Sequence, residues 1–376
     1  MTKLLILTAG FGEGHNAAAR NLAEACESLA GPGSARVADL FALAAPRRNR
    51  VARRAYLAAI NGTPRLWSSF YLWFDRHQIF PRHLWLVSAE LRRLEMLLRE
   101  EQPAAICCTY PVYGFLLERL ARAGRLAAPF YNLVTDSISI NSLWTRPACT
   151  GWFVPNEETA GIVRAMGVPA ARLQVLGFPV PAFFTEHARD LAPPDLATGA
   201  TPRVLYIIHS GVRHAWRTAR RLLAETDWEL TFAVGRDEPL RRRLEQLAAG
   251  RPHPAHVLGW TTEIPRLLMT HHVVLSKAGG ATTQEALAAN CPMLVNQIVP
   301  GQEEGNYELL RRRHADTLVK TPDAVVAALH RAFAHRGAAW RQWRSALAPL
   351  AHPDASRAIA VQLLARGIQT PVPATA

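Results

Sequence analysis

Lysine, paired cysteines, metal-binding carboxylate pairs and long apolar runs are what this chain of 376 residues has little of. Only Lys3, Lys277 and Lys320 are lysines, so arginine supplies nearly all of the 43 basic residues, which outnumber 30 acidic ones for a formal net charge of +13. The five cysteines, Cys26, Cys107, Cys108, Cys149 and Cys291, show neither C-x-x-C spacing nor a Cys/His array, which excludes a disulfide framework and a structural zinc and fits a reducing cytoplasm. No Asp-x-Asp pair is present to hold a metal on a diphosphate. No stretch approaches the roughly 20 uninterrupted apolar residues of a membrane span, so any membrane role is expected to be peripheral. The opening MTKLLILTAGFGEGH has one lysine and a short apolar run ending in glycines, which reads as a buried first strand and not as a signal peptide.

Apolar residues, by contrast, are plentiful at 49% of the chain, and this length is enough for two packed domains. Disorder, collagen and a disulfide miniprotein are excluded on composition. Short apolar runs alternate with longer helical patterns, the signature of βαβ units and parallel sheets. The runs predict strands at Leu4–Thr8, Arg36–Leu40, Ala105–Thr109, Phe130–Thr135 and Gly151–Val154, then at Val204–Ile208, Glu229–Val234, His256–Val257, Val273–Leu275 and Met293–Asn296. A helix is expected over Asn16–Leu29, stopped by Gly31-Pro32-Gly33. Pro193, Pro194, Gly199 and Pro202 punctuate a stretch of little periodicity. The expected organisation is therefore a first domain over 1–182, a linker over 183–202, a second domain over 203–338, and C-terminal helices over 339–367 packing back toward the first. Two doubly wound domains facing each other across a cleft, with ligands at the carboxyl ends of the strands, is the economical α/β architecture.

Each half opens with a strand and a glycine turn. In the first, Gly10, Gly12 and Gly14 alternate before His15 and Asn16, so that backbone N–H groups at a helix start can meet an anion or hydroxyls. The spacing is neither a dinucleotide fingerprint nor a Walker loop. His15 is a site candidate or a loop filler. The second loop, Ser276-Lys277-Ala278-Gly279-Gly280-Ala281-Thr282-Thr283-Gln284-Glu285, can hold a diphosphate through N–H groups and hydroxyls, with Glu285 as a ribose acceptor or a capping-box glutamate. A dense polar cluster, Gln302 to Asn306, follows the next strand.

The strings GFGEGHNAAA, CTYPVYG, VTDSISINSLW, VPNEETA, LGFPV, LGWTTEIPRLL, SKAGGATTQEALAANCP and PGQEEGN, in this order from residue 10 to residue 306, resemble those of the monogalactosyldiacylglycerol synthase and processive diacylglycerol glycosyltransferase family. That family is similar in turn to the peptidoglycan N-acetylglucosaminyl transferase. The resemblance implies a GT-B fold, a nucleotide-sugar donor (a UDP-sugar first), no cofactor and no metal, inversion at the anomeric carbon, and a lipid acceptor such as diacylglycerol in glycolipid synthesis. It places Gly279, Gly280 and Ala281 on the donor diphosphate, with Lys277 and Thr282 beside them. Glu285 falls on the ribose, Gln302 and Glu303 on the sugar with Asn306 nearby, Trp260 and Thr261 by the base, and Ser210 and Gly211 in the domain's opening turn. His15 matches the family's Gly-Gly-His histidine. Asn141 stands where the plant enzymes carry a histidine, which separates this chain from any mechanism using that imidazole.

Inverting transfer needs a base for the acceptor hydroxyl and dipoles or cations for the leaving diphosphate. His15 and Asp136 are the candidate bases, with Asp136 alternatively orienting the imidazole or capping a helix. Gly12, Gly14, Tyr110 and Asn141 line the acceptor side. The stretch from Pro46 to Arg93 adds ten arginines against Asp75 and Glu90, interleaved with Trp67, Phe70, Tyr71, Trp73, Phe74, Phe80 and Trp85. Such a segment suits an anionic membrane surface on the inner face of the cell membrane, each basic side chain contributing about 1 kcal/mol. Two alternatives stay open: a nucleotide-sugar 2-epimerase of the same architecture, and a basic nucleic-acid-binding protein.

Overall fold

A computed structural model describes residues 3–62, 87–209, 214–299, 301, 303–314 and 317–367. Two compact units divide the chain: Met1–Ala182 with Asp354–Ala376, and Phe183–Val299 with Glu303–Pro353. Each holds one wholly parallel sheet.

In the first unit β1 (Leu4–Thr8), β2 (Ala35–Asp39), β3 (Ala105–Cys108), β4 (Phe130–Leu133), β5 (Gly151–Val154) and β6 (Leu173–Val175) lie in the order β2-β1-β3-β4-β5-β6. Strands β1, β3, β4 and β5 are buried at every position because helices cover both faces, which is why they read as apolar runs, interrupted only by Thr8 and by Asn132, whose Nδ2 donates to the Trp144 carbonyl. The helix after β1 spans Glu13–Ala30 and starts earlier than the expected Asn16. Gly12 caps it at φ 129°, a left-handed conformation that favours glycine. Its C-terminal cap is Gly31, whose N–H donates to the Glu27 carbonyl at 2.9 Å. Ala18, Ala19, Leu22 and Cys26 form its buried face. The last helix, Ala355–Gly367, packs on this one, and Ser356 Oγ donates to the Val180 carbonyl at 2.6 Å.

In the second unit β7 (Arg203–Ile207), β8 (Glu229–Ala233), β9 (Ala255–Leu258), β10 (Val273–Lys277) and β11 (Met293–Gln297) lie in the order β11-β10-β7-β8-β9. The stretch expected as a linker, 183–202, is part of this unit. It carries a short helix at Phe183–Glu186, and Leu196 is buried in the unit's core. Of the expected C-terminal helices, Trp340 and Trp343 also belong to this core, and only Ala355–Gly367 joins the first unit. The helix Pro322–Leu347 kinks at His335, Arg336 and Gly337, all with positive φ. A Cβ on Gly337 would stand 2.5 Å from Leu196 Cδ1, so the close approach of Leu196 requires glycine there.

All five cysteines are free and buried, and burial pushes the thiols of Cys26, Cys149 and Cys291 up to about 12. They are inert packing residues. No helix of the described residues is long and apolar enough to cross a membrane.

Candidate functional site

In both sheets the chain order reverses beside the first strand of the unit, at β1/β3 in the first and at β7/β10 in the second. Loops leaving such a pair of strands diverge to opposite faces and open a crevice at the carboxyl ends, where ligands of open α/β sheets bind.

The first crevice collects residues from three neighbouring strand ends. His15 lies three, four and seven residues before Ala18, Ala19 and Leu22, on the helix face that packs inward. Its Nδ1 is 2.8 Å from Thr135 Oγ1, just beyond β4, and its carbonyl accepts from Thr109 Oγ1 at 3.2 Å, just beyond β3. With Nδ1–H donating to Thr135, Nε2 keeps its lone pair for a substrate proton. Tyr110 packs edge-on against the imidazole at 5.1 Å and 87°, and Phe11 stacks on Tyr110 at 6.1 Å.

Asp136 sits beside this histidine and shares its electrostatics. Its Oδ2 accepts from the indole Nε1 of Trp144 at 2.7 Å. No helix begins at Asp136, so the capping alternative falls. The hydroxyl of Thr135, and not the Asp136 carboxylate, holds Nδ1. Burial pushes the imidazole below its ordinary value of 6.5, against the opposing pull of the Asp136 charge. Burial likewise pushes Asp136 up, opposed by His15 and by the indole N–H. Asn141 is buried and caps the 3₁₀ turn Ser142–Trp144, its Oδ1 accepting from Leu143 N at 2.9 Å. Asn141 therefore shapes the loop that carries Trp144.

The glycine loop has one more neighbour, which the sequence reading did not single out. A Cβ on Gly10 would stand 2.8 Å from the guanidinium of Arg53, reaching in from the helix Pro46–Gly62. Gly10 N donates to Asp39 Oδ2 at 3.0 Å, which fixes the loop's other side. Gly12 is exposed and Gly14 half-buried at the helix start.

In the second unit β10 runs into the Gly279 turn and the helix Gly280–Ala288, whose free N–H groups point out at the crevice. Lys277 Nζ is 2.5 Å from Glu303 Oε1, and Glu303 Oε2 accepts from Val299 N at 2.9 Å. Asn306 Nδ2 donates to the Ala278 carbonyl at 3.1 Å. Lys277, Gly279, Gly280, Glu303 and Asn306 are thus gathered, with Ala281, Thr282 and Glu285 half-buried on the helix's first turns. Trp260 and Thr261 follow β9, three strands away from β10, a separation of roughly 14 Å by strand spacing. Trp260 is 68% exposed, and Thr261 Oγ1 accepts from Glu263 N at 3.0 Å. Ser210, Gly211 and Gln302 lie outside the described residues.

His209, directly before Ser210, was missed from sequence. Its Nε2 is 3.1 Å from Ser276 Oγ, and burial, with Lys277 nearby, pushes it down to about 4, so it is neutral at physiological pH. Among the described residues no group of three or more His, Cys, Asp or Glu could hold a metal ion.

These two crevices on two parallel sheets are the framework of the GT-B glycosyltransferases. The chain is similar over 96% of its length to the crystal structure of Acinetobacter baumannii MurG, with TM-score 0.61, 13% identity and 99% of that chain covered. The UDP-GlcNAc 2-epimerase from Neisseria meningitidis has the same fold, with TM-score 0.57 and 11% identity over 97% of this chain and 100% of that one. Within this class, residues 15–180 match the monogalactosyldiacylglycerol (MGDG) synthase family. Over 331 residues, 86% of this chain and 84% of the other, the sequence is 24% identical to the processive diacylglycerol beta-glucosyltransferase of Bacillus cereus (strain AH187). The resemblance read from the motifs is borne out.

Proposed function

We propose that this protein is an inverting, metal-independent glycosyltransferase of glycolipid synthesis, moving a hexose from a nucleotide sugar, a UDP-sugar first, to a lipid hydroxyl such as that of diacylglycerol. The observation that carries the reading is the His15–Thr135–Asp136 arrangement at the first switch point, within the stretch that matches the galactolipid synthase family. Its bacterial relatives are named for glucosyl transfer to diacylglycerol.

In this reading His15 Nε2 takes the acceptor proton as the hydroxyl oxygen bonds to the anomeric carbon. The bond from that carbon to the diphosphate breaks, and its electron pair leaves with the nucleotide. The developing negative charge is met by the N–H groups opening the helix Gly280–Ala288 and by the Lys277 ammonium. Gln302 and Glu303 read the sugar and Glu285 the ribose.

The test is a panel of UDP-, GDP- and dTDP-sugars with diacylglycerol vesicles, read as labelled glycolipid. Transfer from one of them supports the reading. Interconversion of UDP-GlcNAc with its 2-epimer and no transfer would establish the epimerase instead, and RNA binding with no nucleotide-induced thermal shift would establish the nucleic-acid alternative. Glu285→Ala is expected to raise the Kd for UDP roughly tenfold to a hundredfold, the loss of about 1.5–3 kcal/mol from a charged hydrogen bond, with the acceptor KM unchanged. Equal losses in calorimetry and acceptor kinetics would make Glu285 structural.

The basic stretch supports a membrane role. On the helix Pro46–Gly62, Arg47, Arg50, Val51 and Arg54 are exposed, while Arg48 pairs with buried Glu90 at 2.5 Å and Arg93 with Glu100 at 3.1 Å. The aromatic part expected to dock on lipid, 63–86, lies outside the described residues. Binding to vesicles containing anionic lipid is expected to weaken steeply between low and physiological salt. Salt-independent cosedimentation would remove the charge from the docking reading.

A further inference from the structure

Asp136 differs from the buried glutamates of the first unit in the partner it has. Glu90 and Glu101 are buried against arginine and lysine side chains, whereas Asp136 takes a neutral indole N–H from Trp144 at 2.7 Å. That indole is fully buried, and the main chain that carries it is fixed. The Trp144 carbonyl accepts from Trp152 Nε1 at 2.8 Å and from Asn132 Nδ2 at 3.1 Å, and its N–H donates to the Asn141 carbonyl at 3.1 Å. The ring also lies 6.4 Å from the His15 imidazole, tilted at 45°. One residue therefore touches the carboxylate and backs the imidazole. The main chain just beyond Asp136 is bent: Ile138 has φ +57°, a strained conformation for a β-branched residue, and Ile138 N donates to Thr159 Oγ1 at 3.1 Å.

We propose that Trp144 is a positioning residue whose indole N–H holds Asp136 as an ionised acceptor beside His15, so that the proton taken by the imidazole is stabilised by a carboxylate of set direction. A cation in that place would neutralise the carboxylate and cancel its field at His15. A neutral donor keeps the charge and fixes only the direction. The proposal rests on the transfer reading of this site. Among the described residues the titratable groups facing Asp136 are His15, from the helix Glu13–Ala30, and behind that ring Tyr110, from the end of β3.

Three variants test it. Trp144→Phe removes the N–H and keeps an apolar ring, while Trp340→Phe removes a buried indole of the second unit, which donates to the His272 carbonyl at 2.7 Å. The expected result for Trp144→Phe is a tenfold or greater fall in kcat with little change in donor KM. The acid limb of kcat/KM is expected to move toward higher pH, because the carboxylate loses a hydrogen bond made to its charged form. Trp340→Phe is expected to lower the melting temperature and leave the acid limb in place. In wild-type protein labelled with 15N, one indole N–H resonance should follow the titration of Asp136 and shift in Asp136→Asn, a reading that needs no turnover and stands if Trp144→Phe fails to fold. Identical profiles for the two tryptophan variants, or no indole resonance responding to Asp136, overturn the proposal. Absence of transfer by the wild type, with the indole resonance still tracking Asp136, would overturn the functional reading and leave the hydrogen bond intact.

Discussion

His15→Ala is expected to lower kcat about 10²–10⁴-fold, the usual contribution of a positioned general base, while UDP binding to the second unit stays near its wild-type value. The split follows from where the residue sits. His15 belongs to the first unit, and the described residues assigned to the donor all belong to the second. The wild-type pH profile carries a second signature. Burial lowers the imidazole from 6.5, so the proton-free, active form persists to lower pH, and the acid limb of kcat/KM is expected below 6.5. The limb belongs to the His15–Asp136 pair and not to either residue alone. In His15→Ala it should be lost along with the rate. Retention of more than about a tenth of kcat would take proton transfer away from this residue.

Lys277→Met carries the second large effect, and it is a double one. Glu303 is buried at 6% exposure, and removing its ammonium partner leaves one carboxylate oxygen unpaired while the other keeps the Val299 N–H. Breaking a buried pair costs about 3–5 kcal/mol. Lys277 is 28% exposed, so water screens part of the charge and about 1–3 kcal/mol is expected, read as a fall of several degrees in melting temperature. The same variant should weaken UDP roughly tenfold to a hundredfold, because a charged hydrogen bond to the diphosphate is worth about 1.5–3 kcal/mol. Lys277→Met with Glu303→Gln separates the two effects. The neutral amide still accepts from Val299 N, so stability should return while UDP affinity stays low. Recovery of both would make the pair purely structural.

Strands buried on both faces were legible because they are apolar nearly throughout, as in Leu4–Thr8 and Gly151–Val154. The difficulties fall at sheet edges. Strand β6, Leu173–Val175, was not anticipated, and β9, Ala255–Leu258, was anticipated only at His256–Val257. Both are outermost strands whose residues are mostly half-exposed, so the apolar run that marks an inner strand is missing. The stretch at 183–202 read as a linker because prolines erase periodicity, yet Leu196 packs into the second core against Gly337, a contact 141 residues apart that no local pattern announces.

The sequence by itself determined the two parallel sheets, the glycine turns that open both crevices and the family resemblance. These depend on local preferences: apolar runs for strands, glycine where φ is positive, and N–H groups left free at helix starts. Only the tertiary structure decided what surrounds the reacting groups. Thr135 reaches His15 across 120 residues of chain, the Trp144 indole turns back onto Asp136 through a loop without periodicity, and His209 meets Ser276 from a neighbouring strand. Side chains so placed become partners because β1, β3 and β4, like β7 and β10, end side by side, and strand order is set by the packing of whole sheets.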